Sequence, residues 1–265
     1  MRDNNYKVFE GDPDSIVLIH VPHASRLIPE SVRESLLLEG EDLSKELDKM
    51  TDTYSDTLAY NALENCKIRP WLFVNNLSRF VVDPERFPDE TEIMNSVGMG
   101  AVYFKTSSGN SLRGSDKEES RLLISKYFNP YSKSIQAVAE MILLNNKKLT
   151  IIDLHTYRVA AGPNELNLHL ARPEICLGTD SSHTPKQLLN DAKKVFSEAG
   201  KIVENEPFSG TYVPLSLYEK NLYVKSIMIE IREDVILDEN LEPHEGGENV
   251  SKLLARYVNL IQERG

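Results

Sequence analysis

Apolar positions along the chain fall into two rhythms, continuous β-branched runs and three- or four-residue steps. Three continuous runs stand out: Ile16 to Ile19, leading into His20-Val21-Pro22-His23; Leu149 to Leu154, ending at His155; and Ser226 to Ile231, which contains Glu230. Runs apolar at both parities predict strands covered on both faces. A shorter run, Trp71 to Leu77, predicts a fourth strand, and Asn167 to Ala171 and Lys201 to Glu204 predict two brief ones. The stepped segments predict helices over Pro29 to Leu38, Glu41 to Leu63, Asp116 to Leu144, Lys186 to Ala199 and Asn249 to Gln262. In the third of these, Asn129-Pro130 should break or kink the helix. Residues 84–115 are rich in Gly, Ser, Thr and Asn and predict a long irregular excursion, a pattern often used for functional loops. Pro207 to Pro214 predicts a turn-rich loop.

Strands alternating with helices, with no repeat or linker over 265 residues, predict a single α/β domain. Its expected form is three layers, a mixed, mostly parallel sheet flanked by helices. Lys and Arg number 30 against 41 Asp and Glu, a net charge of −11. That field repels phosphate and argues against nucleic acid or an anionic membrane as partner, while leaving room for a small anion in a local basic pocket. Two cysteines, Cys66 and Cys176, are too few for a disulfide framework or a cysteine metal site. Met1 to Asp14 is polar and carries no apolar signal core, and no apolar stretch reaches the length of a membrane span, so the expected compartment is cytoplasmic.

Histidines at the ends of two predicted strands are candidates for one site, because ligands of α/β sheets gather beyond the carboxyl ends of the strands. Imidazole is a common zinc ligand. Each histidine alone would fit an ordinary hydrogen-bonded strand end equally well. His23 follows Pro22, where the chain leaves the sheet, and is preferred; His20 has the opposite parity and reads as a buried core residue. A catalytic zinc needs a third protein ligand. Asp52 and Asp56 are four apart on one predicted helix, and Asp52 is favoured as the ligand, with Asp56 as its partner or a cap.

Asp153 lies two residues before His155 on the same strand face, placed to orient a liganding imidazole or to pair with a cation. Glu230, a carboxylate in an apolar run, needs a partner or a task; beside activated water it would serve as general base. Arg79 and Arg86 offer planar forks for a substrate carboxylate, or pair with Asp83 and Glu85. Gly210-Thr211-Tyr212 provides close backbone approach and a phenolic donor, or a plain turn.

Together these segments resemble the N-formylglutamate amidohydrolase family. The matching pieces are Val21 to Ser25, Thr51 to Asp56, Ser78 to Asp83 with Arg86, Asp153 to Thr156, Asn205 to Tyr212, and Ile229 to Ile231 followed by Leu237 to Glu239. The resemblance implies a zinc-dependent, exopeptidase-like (phosphorylase/hydrolase-like) α/β fold with one Zn2+ per chain. It also implies hydrolysis of N-formyl-L-glutamate to glutamate and formate, a step of histidine degradation. In related carboxypeptidases and cell-wall amidases a histidine, an acid and a later histidine hold zinc, and a late glutamate is the base. Carried over in order, these are His23, Asp52, His155 and Glu230. Family members commonly read Asp-Leu-Asn-Arg where this chain has Asp83-Pro84-Glu85-Arg86, and Gly-Gly-Tyr where it has Gly210-Thr211-Tyr212. The added charge at Glu85 works against a dicarboxylate substrate.

The leading expectation is therefore a zinc amidohydrolase acting on a small N-acyl amino acid. A zinc carboxypeptidase or peptidoglycan amidase is the second reading, and a non-catalytic carboxylate-binding protein the third.

Overall fold

The computed structural model describes residues 5–165 and 168–264. The chain opens with strand β1 (Tyr6–Phe9), β2 (Val17–Val21), the single turn α1 (Glu30–Arg33), α2 (Gly40–Met50), α3 (Ser55–Leu63) and β3 (Trp71–Asn75). Next come α4 (Lys117–Leu123), a π-helical turn (Ile124–Phe128), α5 (Asn129–Asn146), β4 (Leu149–Tyr157) and β5 (Ile175–Gly178). The remaining elements are α6 (Lys186–Phe196), β6 (Ile202–Glu204), β7 (Val224–Arg232) and α7 (Glu245–Arg264).

The strands form one seven-stranded sheet in the order β1-β3-β2-β4-β7-β5-β6. Pairings are parallel except for β1 with β3 and β5 with β7, so the sheet is mixed and mostly parallel. Every residue of β2 and β4 is buried, as their unbroken apolar runs require. Alternation sends Val17, Ile19, Ile152 and Leu154 into one core with α3, α6 and α7. Leu18 and Ile151 point the other way, onto Tyr131, Ile135 and Ala139 of α5. Among the described residues no helix is long and apolar enough to cross a membrane.

Several expected elements change. The helix expected over Glu41 to Leu63 is two helices: Thr51 is extended, and Tyr54 takes a left-handed conformation (φ 73°) immediately before α3. Only Glu30–Arg33 of the expected Pro29 to Leu38 helix forms. Pro130 does not break its helix. The π turn just before it supplies a wider hydrogen-bonding ring and Pro130 falls in the first turn of α5, where its missing N–H costs nothing. β1 and β5 are four-residue strands too short to announce themselves by periodicity. Asn167 lies outside the described residues, and residues 168–171 form turns rather than the expected strand.

The excursion after Pro84 is irregular but packed. Met99, Ala101, Tyr103 and Leu112 join Val32, Leu43 and Leu47 in a separate apolar cluster with Phe80, Val81 and Leu123. Its backbone is tied by short bridges, Lys105 with Ser111 and Leu36 with Arg113.

Candidate active site

Strand register assembles the floor of the site. His20 lies opposite Asp153 on β2 and β4, and His155 lies opposite Glu230 on β4 and β7. Asp153 and His155 are two apart, so all four side chains stand on one face, at the carboxyl ends of parallel strands. Asp153, His155 and Glu230 line a cavity of about 700 Å³ together with His23, Asp52, Arg79, Glu85, Arg86 and Tyr212.

His23 and Asp52 reach the same point from loops. The break between α2 and α3 lets the Asp52 N–H donate to the His23 carbonyl (3.1 Å), fixing one residue to the other through the main chain. His23 Nδ1 lies 3.7 Å from Asp52 Oδ2, and His155 Nδ1 lies 2.8 Å from the same oxygen. These three buried residues offer ligand atoms all within 4.8 Å of one another. Behind them, His23 Nε2 hydrogen-bonds Asp83 Oδ1 (2.9 Å), and Asp83 also accepts from the Tyr103 hydroxyl (2.7 Å).

Asp56 is not brought to this point. Asp52 precedes α3 instead of sharing a helical face with Asp56, whose carboxylate accepts from the Thr57 N–H in the first turn of α3. There it favours the helix dipole. Asp153 is fully engaged: Oδ1 meets His20 Nδ1 (3.0 Å) and Oδ2 accepts from the Tyr212 N–H (3.0 Å). Its partners are thus histidines and backbone, not the Lys or Arg that sequence left open. His20 is wholly buried and hydrogen-bonded as expected, with Nε2 against the Tyr131 hydroxyl (2.7 Å) and its ring beside Phe73 and Tyr212. Parity separates His20 from His23 only while the strand lasts, and Pro22 ends it.

The Tyr212 ring packs on His20 with centroids 4.3 Å apart. Its loop needs Gly210 for a left-handed turn (φ +89°), whereas the close approach falls at Gly178, where a Cβ would sit 2.3 Å from the Gly210 carbonyl oxygen. Arg79 is mostly committed within the site: Nη2 donates to Asp83 Oδ2 (3.1 Å) and lies 2.9 Å from His23 Nδ1. Arg86 is the freer cation. Its side chain is 32% exposed and 3.6 Å from Asp83, and its Nε has no hydrogen-bond partner.

Asp83 and Glu85 are the residues that sequence reasoning read as arginine partners, with Glu85 also as a charge acting on substrate choice, and not as neighbours of the histidines. Glu85 Oε2 lies 3.6 Å from His23 Nδ1 and 3.4 Å from His155 Nε2, placing its carboxylate between the histidines. The signal available was local: a strand end followed within a dozen residues by two arginines and two acids, more charge than one buried turn holds without a ligand.

Five carboxylates therefore face three histidines and two guanidiniums in a buried setting. Burial opposes charge on His155, but Glu85, Asp153 and Glu230 outweigh it and raise its pKa well above the usual value. Burial likewise resists ionisation of Asp52, yet hydrogen bonds from His155 and His23 hold it below the ordinary carboxylate range. Glu230 is the opposite case. Burial pushes its carboxyl up to about 8, only partly offset by His155 and Arg79. Glu230 Oε2 and His155 Nε2 are both buried without a hydrogen-bond partner. Two imidazoles and a carboxylate with unpaired polar atoms beside them suit a divalent ion such as zinc.

The chain matches the family model for N-formylglutamate amidohydrolase over residues 15–237. It belongs to the N-formylglutamate amidohydrolase family. Members of that family are hydrolases of amide bonds, and this chain is an amidohydrolase of that kind. The fold is similar to the crystal structure of N-formylglutamate amidohydrolase from Ralstonia eutropha, at 17% identity over 98% of each chain, with a TM-score of 0.79. It is also similar to a gene product of Agrobacterium tumefaciens, at 18% identity over 98% of this chain and 96% of the other, with a TM-score of 0.70. No curated protein matches the chain.

Proposed function

We propose that this family member is a zinc-dependent enzyme cleaving the N-acyl amide of a small amino acid, with N-formyl-L-glutamate, giving L-glutamate and formate, as the first candidate. The observation carrying this reading is the pairing of His155 with Glu230 at the floor of the cavity, beside His23 and Asp52. His23, Asp52 and His155 would hold the ion, and Asp83 would orient His23 through its far nitrogen. Once bound, the ion would lower the pKa of water and polarise the acyl carbonyl.

Glu230 takes the proton of the attacking water. As the carbon–nitrogen bond breaks, it passes that proton to the departing amine, and the acyl group leaves as a carboxylic acid that ionises at neutral pH. Its raised pKa suits both halves of this transfer near neutral pH. Arg86 binds the substrate carboxylate, and Arg79 keeps Asp83 and His23 in position while adding positive charge. The Tyr212 ring closes one side over His20. The whole chain acts as one hydrolytic domain, residues 1–265, with the 84–115 excursion supplying the wall that carries Glu85 and Arg86.

Metal content of the purified protein, measured with formate release from N-formyl-L-glutamate before and after chelation, tests the proposal. Bound zinc with chelator-sensitive formate release supports it; formate release unaffected by chelation sinks the metal role. A second reading, hydrolysis of a longer N-acyl or peptide amide, draws on the size of the cavity and on Phe87, Ile93 and Phe208 along its walls. Zinc-dependent cleavage of such amides without formate release would select it.

A further inference from the structure

A second group of donors lies beside the first, on the far side of the His155 ring from Asp52. Asp153 Oδ1 is 3.0 Å from His20 Nδ1 and 3.2 Å from His155 Nε2. Glu85 closes the ring, with Oε2 3.4 Å from His155 Nε2 and Oε1 3.6 Å from His20 Nδ1. Two donors bound to one ion at about 2.0–2.2 Å, at a tetrahedral angle, lie about 3.3–3.6 Å apart. The ring has the dimensions of a coordination shell.

Each member is also held from behind. The Tyr131 hydroxyl occupies His20 Nε2, and the Tyr212 N–H occupies Asp153 Oδ2. Asp52 faces His155 Nδ1, and the Glu85 N–H donates to Asp83 Oδ1 (3.2 Å). Outer contacts of this kind fix the ligands of metal sites, and an ion here would take the place of the hydrogen bond that His20 Nδ1 and Asp153 Oδ1 make with each other (3.0 Å). Two of the inward atoms, Glu85 Oε1 and His155 Nε2, are buried with no hydrogen-bond partner, and His155 is only 4% exposed. A network serving hydrogen bonding alone would pair them.

We propose that His20, Asp153 and Glu85, with the Nε2 edge of His155, form a second divalent-cation site adjoining the His23–Asp52–His155 set. The inference rests on the reading of that first set as a metal centre. Two imidazoles with two carboxylates suit a borderline divalent ion, Zn2+, Mn2+ or Co2+, better than the all-oxygen preference of Mg2+ or Ca2+. Glu85 is the decisive donor. An amide in its place would bring no charge to offset a second ion. An ion here would place a second positive centre beside the first, on the other edge of the His155 ring.

The test is a Zn2+ titration of the chelator-stripped full chain, with ions per chain counted by native mass spectrometry. Wild type, Glu85→Asn and Asp52→Asn are compared, with circular dichroism confirming that each is folded and Glu85→Gln replacing Glu85→Asn if the latter is not. The expected result is two ions in wild type and one in each variant. The visible spectrum of the Co2+ form should change at the second equivalent in wild type and show no such change in Glu85→Asn. Wild type saturating at one ion that Asp52→Asn loses and Glu85→Asn keeps at unchanged affinity overturns the second site and leaves the proposed function standing. No ion in wild type overturns both.

Discussion

His155 and Glu230 face each other across adjacent parallel strands, in register, where the Glu230 carboxylate favours a charged imidazole and that imidazole in turn favours an ionised Glu230. Burial lifts the Glu230 carboxyl towards neutrality, and the acids around His155 keep its imidazole charged. Because both are set on sheet backbone, their separation is governed by strand pairing and not by loop motion.

Replacing Glu230 with Gln keeps the shape and removes the proton acceptor. Turnover is expected to fall about 10²–10⁴-fold, the usual share of a positioned general base, while metal content stays at the wild-type level. Steady-state kinetics with metal analysis on the same sample checks both halves; undiminished turnover would take Glu230 out of the chemistry.

Asp83 meets the proposed metal ligands through His23. Asp83→Asn is expected to weaken metal affinity about 10–100-fold, measured by competition with a chromophoric chelator. Equal affinity would mean that His23 is oriented by other contacts.

Arg86→Ala is expected to cost about 1.5–3 kcal/mol of carboxylate binding, or about 10–100-fold in KM, with kcat much less affected. A loss confined to kcat would show that Arg86 acts on the reacting atoms instead.

The metal-free protein should lose stability as pH rises. Glu230 holds more proton folded than unfolded from its ordinary carboxyl pKa up to about 8, and His155, raised well above its ordinary value, does so from the ordinary imidazole pKa upward. Unfolding therefore releases protons, and stability declines with increasing pH. Melting of chelated protein at pH 6 and pH 9 should give the lower Tm at pH 9; the reverse order would show that the low-lying carboxylates dominate.

Leu58→Ala removes a fully buried side chain from the core between α3 and the sheet, at an expected cost of about 2–5 kcal/mol in denaturant unfolding.

The central strands were legible because strands buried on both faces leave unbroken apolar runs, and an acid or histidine inside such a run is conspicuous. His20, His155 and Glu230 were found that way, and their mutual register follows from parallel pairing. Asp83 and Glu85 were not, because their significance depends on a loop returning over the strand ends, a contact between residues 60 or more apart that no local pattern encodes. The break at Thr51–Tyr54 was hidden for a different reason. Apolar spacing continued through it, and Tyr54 adopts its left-handed turn only because tertiary contacts outweigh the local preference. β1 and β5 were too short for alternation to accumulate.

The π turn at Ile124–Phe128 sets the rotational phase of everything that follows in α5. It accommodates one residue more than an α-helical turn does, so winding the same residues as continuous α-helix would turn α5 by about 100° about its axis. Tyr131 would swing away from His20, and Ile135 and Ala139 would leave the sheet with it. The chain thus keeps the timing of its helix and the wiring of its catalytic floor in one place. A one-residue deletion at the turn would be absorbed by closing it to an α-helical turn, leaving that phase unchanged.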